Sequence, residues 1–276
     1  MISIVILTFN EEVNLPGCLD NVAWCDDVIV FDSFSSDRTV DIAKARGVRV
    51  VQHPFENYGA QREAARTSVE LRHPWLLFLD ADERVDEPLK AELLAISEAP
   101  GPHAAYRMRR KDHLMGRWIR HSTLYPSWFT RLLWTDRCHY EPRAVHEYPT
   151  VDGSVGALQG HLVHYNFNKG VEDWLAKHNR YSTLEAGVDL QSLATGSVPW
   201  RHLLSTNPVA RRRALKELSF HLPFRPLFRF LYMYVVRGGI LDGPEGFTYC
   251  RLLYFYELMI ILKMKEQRRR ERGLPV

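Results

Sequence analysis

The sequence predicts an α/β fold, with a mostly parallel sheet in its N-terminal part and a helical appendage at its C-terminus. Three observations support this prediction. Short apolar runs recur through the first hundred residues, segments with helical spacing separate them, and charge and composition change near residue 200. Of the 276 residues, 46% are hydrophobic and 25% are charged, which is typical of a globular protein and excludes a disordered chain or a polytopic membrane protein.

The predicted strands are four apolar runs, mostly β-branched, that lack the polar alternation of a half-exposed strand. Such runs are typical of strands that are buried on both faces of a parallel sheet. They occupy residues 2–7, 28–31, 48–51 and 75–79.

Helices are predicted between these strands, where apolar residues recur at helical spacing. Ser35 or Ser36 is the expected N-cap of the second helix, and Gly47 is its expected end. The alternation of strands and helices favours crossovers onto a parallel sheet. The predicted helices lie within residues 15–22, 40–45 and 60–69.

Polar residues follow the predicted strands, at the edge where open α/β sheets bind their ligands. They include Thr8, Asn10 and Glu11 after the first strand, and Asp32 after the second. No G-x-G-x-x-G motif follows the first strand, and no G-x-x-x-x-G-K-[ST] motif occurs in the chain. The sequence therefore argues against a Rossmann dinucleotide site and against a P-loop.

Asp80 and Asp82 stand one residue apart where the fourth predicted strand ends. In an extended turn both carboxylates can reach one hard cation, and Mg²⁺ or Mn²⁺ held in this way completes its shell with water and substrate phosphates. The alternative is that these acids only end the strand or cap the helix that is expected to start near Glu87.

Three motifs, taken in order, resemble the family 2 glycosyltransferases with the GT-A fold. The first two are Thr8-Phe9-Asn10-Glu11 and the stretch from Val30 to Thr39, and the third is Asp80-Ala81-Asp82-Glu83. Three later segments resemble the branch of bacterial glucosyltransferases that act on lipopolysaccharide core and related lipid-linked glycans. These are Val145-His146-Glu147, residues 164–186, and Gly238-Gly239-Ile240-Leu241-Asp242-Gly243.

The resemblance implies a metal-dependent inverting transferase whose donor is a UDP-sugar, with glucose as the expected sugar. It assigns Thr8, Asn10 and Glu11 to the loop around the nucleoside, and Asp32 to the uracil or ribose. It also places Arg62 near the base and diphosphate. It assigns Asp80 to the ribose or the metal, and Asp82 to the binding of Mg²⁺ or Mn²⁺.

His146-Glu147 is the best candidate in the chain for taking the acceptor's proton, because it lies in a polar segment bounded by prolines. By resemblance, Glu147 is the general base. A structural His-Glu pair remains an alternative, and either Glu141 or Asp152 remains open as the working acid.

His161 and His164 flank an apolar pair, so we expect them to share one side of a short strand or turn, with His164 the one that approaches the metal or diphosphate. A structural histidine is the alternative. Residues 104–140 mix aromatic residues with Arg and Lys, which suits an acceptor groove or ordinary sheet packing. The aromatic and basic residues are Tyr106, Arg107, Arg109, Trp118, Tyr125, Trp128, Arg131 and Trp134.

The two parts of the chain differ in charge. Residues 1–200 carry 21 Lys and Arg against 27 Asp and Glu, a net charge of −6, whereas residues 201–276 carry 15 against 6, a net charge of +9. Arg211-Arg212-Arg213 and Arg268-Arg269-Arg270 bracket two aromatic and aliphatic segments, 224–236 and 247–262. We therefore expect helices that lie on an anionic membrane surface, with packing on the catalytic domain or in a dimer as the alternative.

The predicted organisation is a catalytic domain over residues 1–197, with a nucleotide-sugar half (1–100) and an acceptor half (101–197), followed by a membrane-association region over 198–276. The four cysteines lack disulfide or zinc spacing, and the N-terminal apolar run has no basic segment before it. We therefore expect a cytoplasmic protein, peripheral on the inner membrane.

The expected acceptor is a lipid-linked or lipopolysaccharide-core saccharide. One rival function is a transferase of the same fold that acts on polyprenyl phosphate. The other is a non-catalytic membrane or nucleic-acid adaptor. Nucleic acid is disfavoured as a partner because the basic residues are concentrated in an apolar tail that has no known reader motif.

Overall fold

The computed structural model describes residues 1–141, 148–194 and 224–276, together with Ser205 and Ala214. The chain divides into two compact units. The first contains Met1–Trp118 and Leu124–Lys169, and the second contains Ile119–Thr123 and Gly170–Val276. The boundary expected from the sequence, after residue 197, lies outside the described residues.

The first half of the sheet consists of the four predicted strands, which are confirmed. They are β1 (Ile2–Thr8), β2 (Val28–Asp32), β3 (Arg49–Gln52) and β4 (Trp75–Asp80). They are parallel and stand in the order β3-β2-β1-β4. Their carboxyl ends therefore meet at one edge of the sheet.

The second half of the sheet is mixed. Its strands are β5 (Glu83–Val85), β6 (Ala105–Leu114), β7 (Arg117–Trp118), β8 (Trp128–Trp134) and β11 (Val155–His164), and a separate two-stranded sheet consists of β9 (Cys138–His139) and β10 (Thr150–Val151). From β4 the order of strands continues as β8-β6-β11-β5, and β7 pairs with β6 at the side. Only β8, β5 and β7 run against the direction of the other strands in this sheet as described, so the predicted mostly parallel α/β sheet is confirmed.

Four helices accompany the sheet: α1 (Leu15–Asn21), α2 (Thr39–Ala45), α3 (Tyr58–Ser68) and α4 (Glu87–Glu98). The three helices expected between the first strands are confirmed. The expected cap of α2 is wrong, because Asp37, and neither Ser35 nor Ser36, accepts a hydrogen bond from the backbone N–H of Thr39, at 3.0 Å. Gly47 follows α2 with a φ of +68°, as expected for a glycine that ends a helix.

Two apolar clusters pack on opposite faces of the sheet, because alternate residues of a strand point to opposite sides. Ile4 and Leu77 face one cluster, which also contains residues of α1 and α4. Val5 and Phe78 face the other cluster, to which α3 contributes Ala65. The central strands are therefore buried on both faces, which is why their sequences lack polar alternation.

The second unit is helical. Its main elements are α5 (Gly170–Ala194), α6 (Arg225–Leu231) with a π-helical turn (Tyr232–Val236), a 3₁₀ turn (Gly239–Asp242) and α7 (Gly243–Glu271). This confirms the helices expected over 224–236 and 247–262. Within the described ranges, no helix has both the length and the apolar character needed to cross a bilayer.

Buried ion pairs join the three long elements of this unit. Arg225 of α6 lies 2.8 Å from Glu257 of α7 and 3.6 Å from Asp189 of α5, and Arg229 lies 3.1 Å from Glu257. Both carboxylates are almost fully buried. Because an unpaired buried charge is costly, these pairs fix how the helices pack.

We predict that Gly160→Ala destabilises the first unit. A Cβ at Gly160 would collide with the backbone of Leu89 in α4, so the helix would have to move away from the sheet. We expect the free energy of unfolding, measured by urea titration, to fall by about 1–3 kcal/mol.

Gly187→Ala is the matched control, since nothing lies within 4 Å of a Cβ added there on α5. This change should leave stability equal or raise it by up to about 1 kcal/mol, because alanine is the better helix former. Equal stability of Gly160→Ala and wild type would contradict the close packing of α4 on β11.

Candidate active site

The residues that follow β1, β2 and β4 lie side by side at one edge of the sheet. Thr8 is paired in register with Asp32, and Leu7 with Asp80. The Thr8 hydroxyl donates a hydrogen bond to the Asp32 carboxylate at 2.9 Å. Strand register thus brings together the predicted residues, which are far apart in the sequence.

Asp32 is fully buried, and its carboxylate is saturated with hydrogen bonds. Besides the Thr8 hydroxyl, it accepts from the backbone N–H of Ser35 at 2.9 Å, from the Ser35 hydroxyl, and from the Gln52 amide at 3.0 Å. A carboxylate offers about four acceptor positions, and all four are used here. Asp32 therefore supports the loop after β2.

Asn10 joins the loops after β1 and β2. Its backbone is left-handed, with a φ of 54°, a conformation that asparagine tolerates better than most residues. Its N–H donates to the Ser35 hydroxyl and its side-chain oxygen accepts from the N–H of Ser36, both at 2.8 Å. The two loops are therefore held as one polar surface.

Glu11 is partly buried beside this surface and pairs with Lys169. The two side chains approach to 2.7 Å, and Lys169 also donates to the carbonyl of Asn10 at 2.9 Å. Burial raises the pKa of Glu11, and Lys169 opposes that rise. Lys169, which the sequence analysis did not identify, thus ties the segment after β11 to the loop after β1.

Asp80 is clamped by two buried arginines. Arg131 Nη2 lies 2.6 Å from Asp80 Oδ2, and Arg62 Nη2 lies 3.3 Å from Asp80 Oδ1. Burial alone would raise the pKa of Asp80, but Arg131 and Arg62 outweigh it and hold that pKa well below its ordinary value. Both oxygens of Asp80 are thus engaged with guanidinium groups, which explains why Arg62 is buried rather than on a solvated helix face.

Glu83 is fully buried and lies next to Arg131. Its Oε1 lies 3.6 Å from Arg131 Nη2, and its Oε2 accepts from the backbone N–H of Asp80 at 3.1 Å. Burial raises the pKa of Glu83, and the attraction of Arg131 only partly counters this effect. Glu83 therefore braces the turn that carries Asp80 and Asp82.

His164 bridges two carboxylates. Its Nε2 lies 3.2 Å from Asp82 Oδ2, and its Nδ1 lies 2.6 Å from Asp112 Oδ1. Burial alone would lower the pKa of His164, but Asp82 and Asp112 outweigh it and raise the pKa to about 9. The structure thus places His164 beside the carboxylate of Asp82, and the expected approach of His164 to a metal or diphosphate stays a prediction.

His161 lies on the other side of the sheet, so the expectation that it shares a side with His164 is wrong. β11 is extended, and residues three apart in a strand point to opposite faces. His161 Nδ1 lies 3.3 Å from Asp86, and its Nε2 lies 3.0 Å from the Tyr125 hydroxyl.

Asp86 also caps α4, since its carboxylate accepts a hydrogen bond from the N–H of Leu89 at 3.0 Å. Neither Asp80 nor Asp82 is therefore the cap of this helix.

The same alternation divides the mixed aromatic and basic segment. Arg131 enters the site, whereas Arg107 and Arg109 stack against Trp128, with guanidinium carbons 5.0 and 5.4 Å from the ring centre. On β6 these two arginines alternate with Asp112, which contacts His164. The segment is therefore not one continuous groove.

The residues around Asp82 fit a divalent cation only if a ligand from outside the chain contributes. Among the residues whose positions are described, no three His, Cys, Asp or Glu side chains are grouped so that they could enclose a metal ion. Asp82 and His164 supply one carboxylate and one imidazole, with Asp82 Oδ2 and His164 Nε2 3.2 Å apart. Such a small donor set suits Mg²⁺ or Mn²⁺ whose remaining positions are filled by phosphate oxygens and water.

His146 and Glu147 lie outside the described residues, within the segment that separates β9 from β10. Their assignment therefore stays a prediction. Glu141 is described and lies 3.4 Å from the Thr150 hydroxyl at the start of β10. The backbone N–H of Asp152 donates to the carbonyl of Arg137 at 2.8 Å.

Three residues of the site were not assigned from the sequence: Arg131, Asp112 and Lys169. Arg131 stood out only as one member of an aromatic and basic segment, Lys169 only as an unassigned member of the segment 164–186, and Asp112 had no motif around it. Each contacts a motif residue that is far away in the sequence, so only the sheet pairing and chain path reveal it.

The chain was compared with protein families and with known proteins. The model of glycosyl transferase family 2 matches residues 3–156. The lipopolysaccharide core biosynthesis glycosyltransferase LpsC of Rhizobium meliloti (strain 1021) is 27% identical over 198 residues, covering 69% of this chain and 72% of LpsC. An uncharacterized glycosyltransferase of Rickettsia typhi is 26% identical over 278 residues, covering 96% and 87%.

Among solved structures, S. aureus TarS 1-349 matches with a TM-score of 0.42 and 18% identity, covering 99% of this chain and 91% of that one. Glucosyl-3-phosphoglycerate synthase from Mycobacterium tuberculosis, in complex with Mn²⁺ and UDP-glucose, matches with a TM-score of 0.33 and 23% identity. The latter match covers 41% of this chain and only 44% of the synthase. Both TM-scores are below 0.5.

We predict that Arg131→Met strongly destabilises the first unit, because it leaves the fully buried Glu83 without its cation and removes one of the two arginines that hold Asp80. Removing one partner of a buried ion pair typically costs about 3–5 kcal/mol. We expect a loss of that size in the free energy of unfolding from urea titrations at neutral pH.

Arg38→Met is the matched control, since Arg38 pairs with Glu12 at 3.1 Å but is 79% exposed. An exposed pair contributes about 1 kcal/mol or less, so this variant should unfold almost as wild type does. Similar losses in both variants would show that the buried cluster is not the source of stability.

Proposed function

The chain belongs to glycosyltransferase family 2, and from this premise we propose that it is a metal-dependent inverting enzyme that uses a UDP-sugar, UDP-glucose above all. The family model covers more than half of the chain, and the α/β sheet has the GT-A architecture expected from the sequence. The observation that carries the proposal is the pairing of Asp82 with His164 beside an Asp80 that two arginines neutralise.

On the donor side, we assign the joined loops after β1 and β2 to the nucleoside. Thr8, Asn10 and Glu11 form this surface, and Asp32 supports it from beneath, since its acceptor positions are occupied by the protein. Phe9 adds a ring that is 57% exposed beside them. An exposed aromatic face next to a polar loop suits stacking with a base.

On the diphosphate side, Asp82 and His164 would hold Mg²⁺ or Mn²⁺, while Asp80 stays with Arg62 and Arg131. When bound, the cation would neutralise the charge that develops on the leaving diphosphate. The arginine clamp leaves Asp80 to orient the turn and, through it, Asp82. We therefore restrict the metal ligands to Asp82 and His164 and leave Asp80 out.

On the acceptor side, we propose Glu147 as the general base, with His146 beside it. The acceptor hydroxyl must lose its proton as its oxygen bonds to the anomeric carbon and the bond to the diphosphate breaks. A carboxylate within hydrogen-bonding reach of that hydroxyl can take the proton. Attack on the face opposite the leaving group inverts the configuration.

The proposed acceptor is a lipid-linked or lipopolysaccharide-core saccharide. LpsC, whose name assigns it to lipopolysaccharide core biosynthesis, supports this choice through a match that covers more than two thirds of each chain. Polyprenyl phosphate is the competing acceptor. A non-catalytic adaptor is disfavoured by family membership and by the carboxylates gathered at one edge of the sheet.

We predict that Asp82→Asn and Glu147→Gln fail in different ways. With Mn²⁺ or Mg²⁺ present, Asp82→Asn should weaken UDP binding, measured by calorimetry, and abolish transfer from UDP-glucose. Glu147→Gln should bind UDP as wild type does but transfer about 10²–10⁴-fold more slowly, because only proton removal is impaired. Nucleotide release and product formation are followed across a panel of nucleotide sugars.

Glu141→Gln and Asp152→Asn are the controls for the base, and both should retain transfer. If Glu147→Gln keeps full activity while one of these loses it, the base has been assigned to the wrong acid. If wild type binds no nucleotide sugar and releases no nucleotide with any donor, the proposed donor chemistry is wrong. Product formed only on polyprenyl phosphate would favour the competing acceptor.

We also propose that the second unit docks on an anionic membrane surface. An apolar face runs along α6 and the π-helical turn, built from two rows of residues that are each four apart. Every side chain of this face is more than two-fifths exposed, whereas Met233 on the opposite side is buried. The face consists of Leu227, Phe228, Leu231, Tyr232, Val235 and Val236.

Charge favours a lipid surface over a second copy of the chain. Arg251 is exposed and lies over the ring of Phe247, which packs against Phe230 of α6, whereas Arg229 is already paired with the buried Glu257. The neighbouring acids Asp242 and Glu257 are both buried. Self-association through this face would bring like charges together, whereas anionic headgroups would neutralise them.

We predict that replacing Val235 and Val236 by Glu strongly weakens membrane binding of the full chain. Wild type should co-sediment with vesicles of phosphatidylethanolamine and phosphatidylglycerol, and the double variant should bind at least about tenfold more weakly, because two apolar contacts are lost. Leu184→Glu is the control, since Leu184 of α5 is 68% exposed but lies off this face.

Leu184→Glu should bind the vesicles as wild type does, and all three proteins should keep the same melting temperature. If wild type does not bind, or if Leu184→Glu loses binding equally, the face is not a docking surface. Analytical ultracentrifugation tests the alternative: a dimer that the double variant disrupts, without vesicle binding, would establish self-association.

A further inference from the structure

We propose that Asp112 is a positioning residue that orients His164 toward the divalent cation. This inference rests on the proposed function, since it assumes that Asp82 and His164 hold that cation. Asp112 belongs to none of the motifs that connect the chain to its family. It acts through His164 and does not touch the reacting atoms.

Backbone pairing places Asp112 opposite His164. β6 and β11 are parallel neighbours, and Asp112 and His164 are paired residues in their register. Asp112 is 7% exposed, so it holds its position inside the protein and not at a flexible surface. The pairing of two strands therefore sets the distance between carboxylate and imidazole.

The hydrogen bonds determine which ring nitrogen faces the site. Asp112 Oδ1 accepts from Nδ1 at 2.6 Å, and Nε2 on the other side of the ring points to Asp82 Oδ2 at 3.2 Å. Holding Nδ1 as the donor reserves Nε2 for the cation. A carboxylate behind a metal-binding imidazole commonly fixes the ring and makes it a better ligand.

Arg110 provides an alternative explanation for Asp112. Its Nε lies 3.0 Å from Asp112 Oδ1, so Asp112 could serve only as the counter-ion of Arg110. In that case its removal would affect stability and would leave the cation unaffected. The two roles differ in one measurable respect, since the positioning role requires His164 and the counter-ion role does not.

The test is a double-mutant cycle on Mn²⁺ affinity in the presence of UDP, measured by electron paramagnetic resonance of free Mn²⁺. Asp112→Asn should weaken Mn²⁺ binding about 10–100-fold, as is typical for loss of such an outer partner. In a His164→Asn background, Asp112→Asn should cause no further loss, because the residue through which it acts is gone.

Asp86→Asn is the matched control. Asp86 pairs with His161 of the same strand at 3.3 Å, but on the other face of the sheet. This variant removes the same charge and should leave Mn²⁺ affinity unchanged. Melting temperature and metal-free UDP affinity are followed in parallel, and Asp112→Ser replaces Asp112→Asn if the latter does not fold.

Each result has one meaning. If wild type with UDP binds no Mn²⁺, the proposed metal site fails and this inference fails with it. If wild type binds Mn²⁺, Asp82→Asn does not, and Asp112→Asn binds as wild type does, the metal site stands and the inference is overturned. An equal loss of Mn²⁺ affinity from Asp112→Asn in the presence and absence of His164 would show that Asp112 does not act through His164, and would also overturn the inference.

Discussion

The structure of the first unit depends on compensating the charge of the carboxylates that follow β4. Glu83 is fully buried and Asp80 is partly buried against the guanidinium groups of Arg62 and Arg131, and an ionised carboxylate in such a place is costly unless a cation compensates it. Arg62 comes from α3 and Arg131 from β8, so the charge is compensated only when α3 packs beside the edge and β8 pairs with β4. The packing of α3 and the pairing of β8 with β4 thus bring both arginines to the site.

This requirement also divides the work between two acids that look equivalent in the sequence. The arginines neutralise Asp80, whereas Asp82 faces the imidazole of His164. The cluster as a whole contains four carboxyl groups, three guanidinium groups and one imidazole. These belong to Asp80, Asp82, Glu83 and Asp112, to Arg62, Arg110 and Arg131, and to His164. Under the proposed function, a divalent cation that enters together with a UDP diphosphate group would change the net charge of this cluster little, whereas either ligand alone would change it more. The cluster would thus favour joint binding of metal and nucleotide.

The fold was predictable to the extent that its signals are local. Buried parallel strands need continuous apolar runs, and the loops after them carried the recognisable motifs, so the sequence located β1 to β4 and the residues Thr8, Asn10, Asp32, Asp80 and Asp82. The contacts that could not be predicted from the sequence are those between residues far apart in the chain. Arg131 is 51 residues from Asp80, and Asp112 is 52 residues from His164, so only strand pairing reveals either contact. The prediction that His161 and His164 share one side was wrong for a different reason, because it required knowing that the segment is an extended strand.

Net charge is also a poor description of the second unit's surface. The described helical segment 224–276 carries ten Lys and Arg against five Asp and Glu, a net charge of +5. Two of the five acids, Asp242 and Glu257, are almost fully buried, and Glu257 is engaged with Arg225 and Arg229. The Asp242 carboxylate is engaged with the backbone and hydroxyl of Ser122. Arg225 is buried as well, so nine cations and three acids of this segment remain at least partly exposed, and that excess of positive charge is what an anionic lipid surface would meet.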